Sequence, residues 1–169
     1  MTASQTGTAV LLVEDDDQDA FLFEKMLREE AGATRIDRAV EGAAALRLIG
    51  QSGPYDCIVL DLRLSGEDGL WLLEHLNAKP DLASIPVIVF SGDAARLQQA
   101  CAAFPNVVSS VRKPETLEQY RTALTIVGAI LHAAVDVGLA RNRCIRLQCL
   151  PNSPAQLICR RMNRRRTSA

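Results

Sequence analysis

The chain has 169 residues, 48% of them hydrophobic and 23% charged, enough apolar material for one buried core of ordinary size and too much for a disordered chain. Its net charge of −1 hides a split: residues 1–140 carry 11 basic and 20 acidic side chains, whereas residues 141–169 carry eight arginines and no acid. The expectation is an acidic folded body with a basic tail. Residues 1–7 lack the basic and apolar regions of a secretory leader. The longest apolar run, at 126–135, is interrupted by His132 and is too short to cross a bilayer. Five cysteines without paired spacing suit reduced thiols, so a soluble cytoplasmic protein is expected.

In chain order, Thr8-Ala9-Val10-Leu11-Leu12-Val13 is a continuous apolar run followed by Glu14-Asp15-Asp16-Asp17. It reads as a strand buried on both faces, leading into an acidic loop. Ala20, Phe23 and Leu27, with Leu22 and Met26 beside them, recur at helical spacing over residues 19–30. Asp16 or Asp17 is placed to cap that helix. Residues 34–40 hold a weak strand with Ile36 as its clearest inward residue. Residues 41–49 form an Ala/Leu helix closed by Gly50 and the Gly53-Pro54 turn. Cys57-Ile58-Val59-Leu60 is a third strand, ending on Asp61. A loop leads to Asp68-Gly69 and a helix with Leu70, Leu73 and Leu76 as its buried stripe, ended by Pro80. Residues 85–90 and 107–111 are the fourth and fifth strands, with a helix over 94–104 between them. A last helix is expected from about residue 115 to about 140. Five strands alternating with five helices predict an α/β fold, a doubly wound parallel sheet with helices on both faces.

In a parallel sheet the carboxyl ends of all strands share one edge, where open α/β sheets place their ligands. Glu14 and Asp15 follow the first strand, Asp61 the third, Ser91 the fourth and Lys113 the fifth. Three acids brought together repel unless a cation neutralises them. An oxygen-only donor set without a His/Cys cluster suits a hard divalent ion, Mg2+ above all. An aspartate beside such an ion, with a lysine and a hydroxyl nearby, is equipped for phosphoryl transfer onto carboxylate.

The motifs Leu11-Leu12-Val13-Glu14-Asp15-Asp16, Ile58-Val59-Leu60-Asp61-Leu62, Asp68-Gly69-Leu70, Ile88-Val89-Phe90-Ser91-Gly92 and Lys113-Pro114, each placed after a predicted strand or opening a helix, resemble the receiver domain of two-component response regulators. The resemblance covers residues 8–125. It implies a five-stranded flavodoxin-like sheet of order 2-1-3-4-5 and Asp61 as phosphoacceptor. Asp15 would be a direct Mg2+ ligand, Glu14 the second acid and Arg63 a ligand through its backbone carbonyl. Ser91 would be the switch hydroxyl and Lys113 the lysine that pairs with the phosphoryl group. The implied partners are a sensor histidine kinase or phosphotransfer protein and a downstream protein target. No enzymatic role is implied beyond self-phosphorylation and autodephosphorylation.

Two departures from the family pattern stand out. Ser65 occupies a position commonly held by proline, and Ser110 stands where an aromatic often rotates inward on activation. Arg63 and Asp93 occupy positions that tune phosphoryl lifetime, and an Arg63–Asp93 pair partly covering the site is expected. A haloacid-dehalogenase-like phosphatase also phosphorylates an aspartate after a strand, but it wants an acid two residues on, where this chain has Arg63. Among the remaining acids, Asp16, Asp17 and Asp19 are read as a solvated, helix-capping run. Trp71 and His75 receive no role.

The chain is thus divided into a flexible start at 1–7, a receiver at 8–125, an extension of the last helix at 126–140 and a disordered basic tail at 141–169. Ile126, Val127, Ile130, Leu131, Ala134, Val135 and Leu139 form an apolar stripe, suited to a homodimer or partner contact. The tail has no lysine and eight arginines. Three readings of it stay open: electrostatic binding to nucleic acid, the alternative output; a disordered end; or a frame-shifted continuation. No membrane partner is expected.

Overall fold

The computed structural model describes residues 8–31, 33–113 and a few positions between 116 and 129. Along these the order is β1 (Thr8–Val13), α1 (Asp17–Ala31), β2 (Ala33–Ala39), α2 (Gly42–Ser52), β3 (Cys57–Asp61), α3 (Gly69–Asn77), α4 (Pro80–Ala83), β4 (Val87–Ser91), α5 (Ala94–Ala103) and β5 (Val107–Arg112). All strand pairs are parallel, in the order β2-β1-β3-β4-β5. This is the flavodoxin-like sheet expected from the sequence.

The period-2 alternation of a strand divides its residues between two cores. Val10 and Leu12 of β1, Cys57 and Val59 of β3, and Ile88 and Phe90 of β4 pack with Ala20, Phe23 and Leu27 of α1. The intervening Leu11, Val13, Ile58, Leu60, Val87 and Val89 pack with α2, α3 and α5 through Ala45, Leu72, Leu73, Leu76, Leu97 and Ala100. With apolar neighbours above and below, β3 and β4 are buried at every position. That is why these runs show no polar alternation. The Cys57 thiol lies inside β3, where burial pushes its pKa up to about 12; it is an inert core residue.

Prolines set two of the boundaries that differ from expectation. Helix α3 stops at Asn77 and Pro80 opens the single turn α4, because a proline at the first helical position lacks only a hydrogen that would be unpaired anyway. Strand β4 begins at Val87, after Pro86, which cannot donate to the ladder. The expected last helix at 115–140, the apolar stripe, the basic tail and the start at 1–7 lie outside the described residues, save for scattered positions. No described helix is long and apolar enough to cross a membrane.

One glycine fixes how α3 meets the strand edge. A Cβ on Gly69 would stand 2.6 Å from the Asp61 carbonyl oxygen and 2.7 Å from Leu62 Cα. Both obstacles are backbone, so neither can swing aside. Gly69→Ala is therefore expected to cost about 2 kcal/mol of stability through overpacking, read by urea denaturation. A loss under about 0.5 kcal/mol, the scale of an ordinary surface change, would show that the strand end yields freely.

Candidate functional site

The carboxyl ends of β1, β3, β4 and β5 form one edge, and the sequence-predicted polar residues meet there. Glu14 directly follows β1 and is still tied to the sheet by its N–H, which donates to the Ala39 carbonyl at 3.0 Å. The residue is 1% exposed. Oε1 accepts from Asp16 N–H (3.1 Å) and Oε2 from Lys113 Nζ (2.8 Å). Asp15 is half-buried and accepts the Ser65 N–H at 3.0 Å. Asp61, the last residue of β3, is 5% exposed. Its Oδ1 accepts from Arg63 N–H (2.9 Å) and its Oδ2 from Lys113 Nζ (2.7 Å). Carboxylate oxygens of Glu14, Asp15 and Asp61 all lie within 4.8 Å of one another.

Lys113 follows β5, held to the end of β4 by its N–H on the Ser91 carbonyl (3.0 Å). Its ammonium has three hydrogens and three carboxylate partners: Glu14, Asp61 and, at 2.7 Å, Asp19. Ser91 is fully buried and its Oγ accepts the Asp93 N–H at 3.1 Å.

Asp19 is the acid that sequence reasoning left in the solvated run. Its role shows only once the helix start is fixed. Asp16 Oδ1 accepts from the N–H groups of Gln18 and Asp19 (2.9 Å each), which makes Asp16 the cap. Asp19 is then in the first turn, where side chains lean back toward the helix start and hence over the strand edge. Arg38 and Arg96 were also missed. Arg96 Nη1 bridges the Leu62 carbonyl (3.1 Å) and Asp68 Oδ2 (2.9 Å), linking α5 to the loop after Asp61.

The expected Arg63–Asp93 pair is not formed. Asp93 caps α5, its Oδ1 accepting from the N–H groups of Ala95 and Arg96 at 2.9 and 3.2 Å, and Arg63 is exposed. A fixed cap on a helix start outcompetes a flexible exposed ion pair, which is worth little. Ser110 is half-buried in β5 beside Val89. Trp71 stacks on His75 with ring centroids 3.8 Å apart, a contact between neighbours on one helix face.

The electrostatics follow from burial and crowding. Burial raises Glu14 to about 7; Lys113 opposes the rise and Asp61 adds to it. For Lys113 burial pulls downward, but hydrogen bonds to Asp19, Asp61 and Glu14 win and hold the ammonium above the ordinary lysine range. Four carboxylates against one ammonium leave the pocket strongly negative. All the clustered donors are carboxylates, and among the described residues no His or Cys joins them. The residues present therefore fit a hard divalent cation.

A cation must displace any proton on Glu14, so its affinity should rise with pH through about 7. We expect divalent-ion binding roughly ten-fold weaker at pH 6 than at pH 8, measured by titration calorimetry and flattened in Glu14→Gln. Equal affinity at both values would refute the shift. In the metal-free protein the raised pKa works the other way on stability. The folded state holds this proton more tightly than the unfolded chain, so Glu14 costs stability as pH rises from 4.5 through about 7.

Comparison with known proteins identifies the family. The family model for the response regulator receiver domain matches residues 10–125, and the chain belongs to that family. It is a family of two-component signalling modules, not of conventional enzymes. Among characterised relatives, response regulator Rcp1 of Synechocystis sp. is 33% identical over 94 residues, covering 52% of this chain and 64% of Rcp1. The chain thus spans under two thirds of that relative. Chemotaxis protein CheY of Pseudomonas aeruginosa is 31% identical over 109 residues, covering 64% and 86%. A structure of the Mn2+-bound form of Rcp1 aligns with a TM-score of 0.62 at 26% identity, over 72% of this chain and 92% of that one. The phosphorylated cyanobacterial phytochrome response regulator RcpA shares the fold, with a TM-score of 0.67 at 22% identity over 76% and 96%.

Proposed function

We propose that this receiver is phosphorylated on Asp61 in a Mg2+-dependent reaction, by a sensor histidine kinase or a phosphotransfer protein, and that phosphorylation switches a protein-interaction surface. The observation that carries this reading is the Lys113 ammonium shared by Asp61 and Glu14 at 2.7 and 2.8 Å, beside the three-acid cluster. An Asp61 carboxylate oxygen attacks phosphorus, the bond from phosphorus to the donor nitrogen breaks, and the donor imidazole keeps the electron pair.

The Glu14, Asp15 and Asp61 side chains and the Arg63 carbonyl would hold the ion. When bound, it neutralises charge on the phosphoryl oxygens. Mg2+ is favoured because it binds through few carboxylates and keeps several waters; Mn2+ in the related Rcp1 structure supports a divalent ion here. The Arg63 N–H on Oδ1 orients the nucleophile. Once Asp61 has become an acyl phosphate it no longer carries its own charge. One Lys113 hydrogen can then turn to a phosphoryl oxygen while Glu14 and Asp19 keep the ammonium in place. Attack of water on the same phosphorus returns Asp61 and releases inorganic phosphate.

Ser91 is the readout. Its hydroxyl accepts from Asp93 N–H and can donate to a phosphoryl oxygen. Asp93 caps α5, so movement at Ser91 passes directly to that helix. The downstream surface would comprise α5 and the helix expected after Lys113, with pairing of two chains through the latter as a further output. The test is incubation with Mg2+ and acetyl phosphate followed by intact mass. One phosphoryl adduct is expected, lost when Mg2+ is chelated. A wild-type protein that acquires no adduct at saturating donor would overturn the proposal.

A further inference from the structure

We infer that Arg38, at the end of β2, is a positioning residue that sets the main chain of the acidic pair for its cation. The inference rests on the cation site proposed above. Strand β1 ends at Val13, paired with Ala39, and the Glu14 N–H on the Ala39 carbonyl closes the ladder. Beyond it the chain leaves the sheet, and α1 does not begin until Asp17. The carbonyls of Glu14 and Asp15 fall in that gap, outside the strand and the helix that would supply backbone partners.

Arg38 supplies them. Its Nε donates to the Glu14 carbonyl at 2.9 Å and its Nη2 to the Asp15 carbonyl at 3.0 Å. Nη1 donates to Asp17 Oδ1 at 2.7 Å. One planar guanidinium thus grips two successive peptide units. Those units flank the Asp15 Cα, so the grip fixes the directions in which the Glu14 and Asp15 side chains leave the backbone. The Asp17 bond is of another kind. Asp17 is 91% exposed against 24% for Arg38, and exposed ion pairs of this sort contribute little. The two carbonyl bonds therefore carry the role, and lysine, a single point charge on a flexible stem, cannot reproduce them.

The experiment is Mn2+ titration calorimetry on the full chain, with thermal unfolding of the metal-free protein run in parallel. Arg38→Lys keeps the charge and the aliphatic stem and removes only the fork, so any loss of affinity reports geometry. Roughly ten-fold weaker Mn2+ binding is expected for it, and ten- to hundred-fold for Arg38→Ala, the range seen when an outer-shell partner is removed. Two controls separate this from general destabilisation. Asp17→Asn and Arg35→Ala should bind Mn2+ within about two-fold of wild type, even though Arg35→Ala loses the bond to the Pro54 carbonyl and the Asp37 pair. If Arg38→Ala does not fold, Arg38→Lys decides alone. Wild-type affinity in Arg38→Lys overturns this inference and leaves the cation site intact. A wild type that binds no Mn2+ overturns the cation site itself.

Discussion

Asp61→Asn is expected to acquire no phosphoryl group from acetyl phosphate and Mg2+ under conditions that label the wild type fully. The substitution keeps the shape of the side chain. Its amide oxygen can still accept from Lys113 Nζ or from Arg63 N–H, the two donors now 2.7 and 2.9 Å away. It removes the nucleophile, because an uncharged amide oxygen does not form a stable acyl phosphate. It also removes one negative charge from a pocket where Glu14, Asp19 and Asp61 crowd a single ammonium. The variant should therefore be no less stable to heat than wild type, so that loss of the adduct reports chemistry and not unfolding. The outcome that would sink the assignment is an adduct of equal yield on the variant, which would move the acceptor to another carboxylate such as Asp15.

Lys113→Ala is expected to have the second largest effect, and on two quantities at once. Removing a positioned cation from the developing charge should slow adduct formation on the order of 100-fold. In the metal-free protein it also leaves Glu14 and Asp61, 1% and 5% exposed, without their counter-charge. Stranding buried carboxylates in this way should cost about 2 kcal/mol at pH 8; the 19% exposure of Lys113 places the cost below that of a fully buried pair. The sign with pH is definite. Burial already raises Glu14 to about 7, so protonation of Glu14 should shrink the deficit toward pH 6, and a divalent cation should recover much of it at pH 8. Urea denaturation at the two pH values, with and without Mg2+, checks all three statements. Wild-type stability at pH 8 would show that the lysine is not the counter-ion of the buried acids.

The sheet and most of the strand-edge site were legible in the residues themselves. Buried strands must be apolar throughout, and β3 and β4 are. A carboxylate at the end of such a run cannot lie among the apolar residues unpaired, which placed Asp61 at the edge before any neighbour was known. Glu14, Asp15, Ser91 and Lys113 follow by the same logic, since parallel strands bring their carboxyl ends together.

What stayed illegible was the choice each long or charged side chain made among several partners. Arg63 was expected to meet Asp93, but Asp93 caps α5 and the arginine that reaches the loop after Asp61 is Arg96 of α5, paired with Asp68. Asp19 looked like one more solvated acid until the cap at Asp16 set the rotation of α1 and turned it onto Lys113. Arg38 carried no local signal at all. Its main-chain partners are oxygens of Glu14 and Asp15, just past the end of β1, brought near by the β1–β2 register that pairs Leu12 with Arg38.

The sequence by itself determined the parallel sheet, the edge at which its polar ends converge and the oxygen-only chemistry of that edge. These depend on periodicity and on the cost of burying charge, both of which are local. Only the tertiary structure decided which acid completes the shell of Lys113 and which arginines grip the flanking loops. Those choices turn on register and helix rotation, which bring residues 21 to 94 positions apart within hydrogen-bond reach and leave no trace in the spacing of the chain.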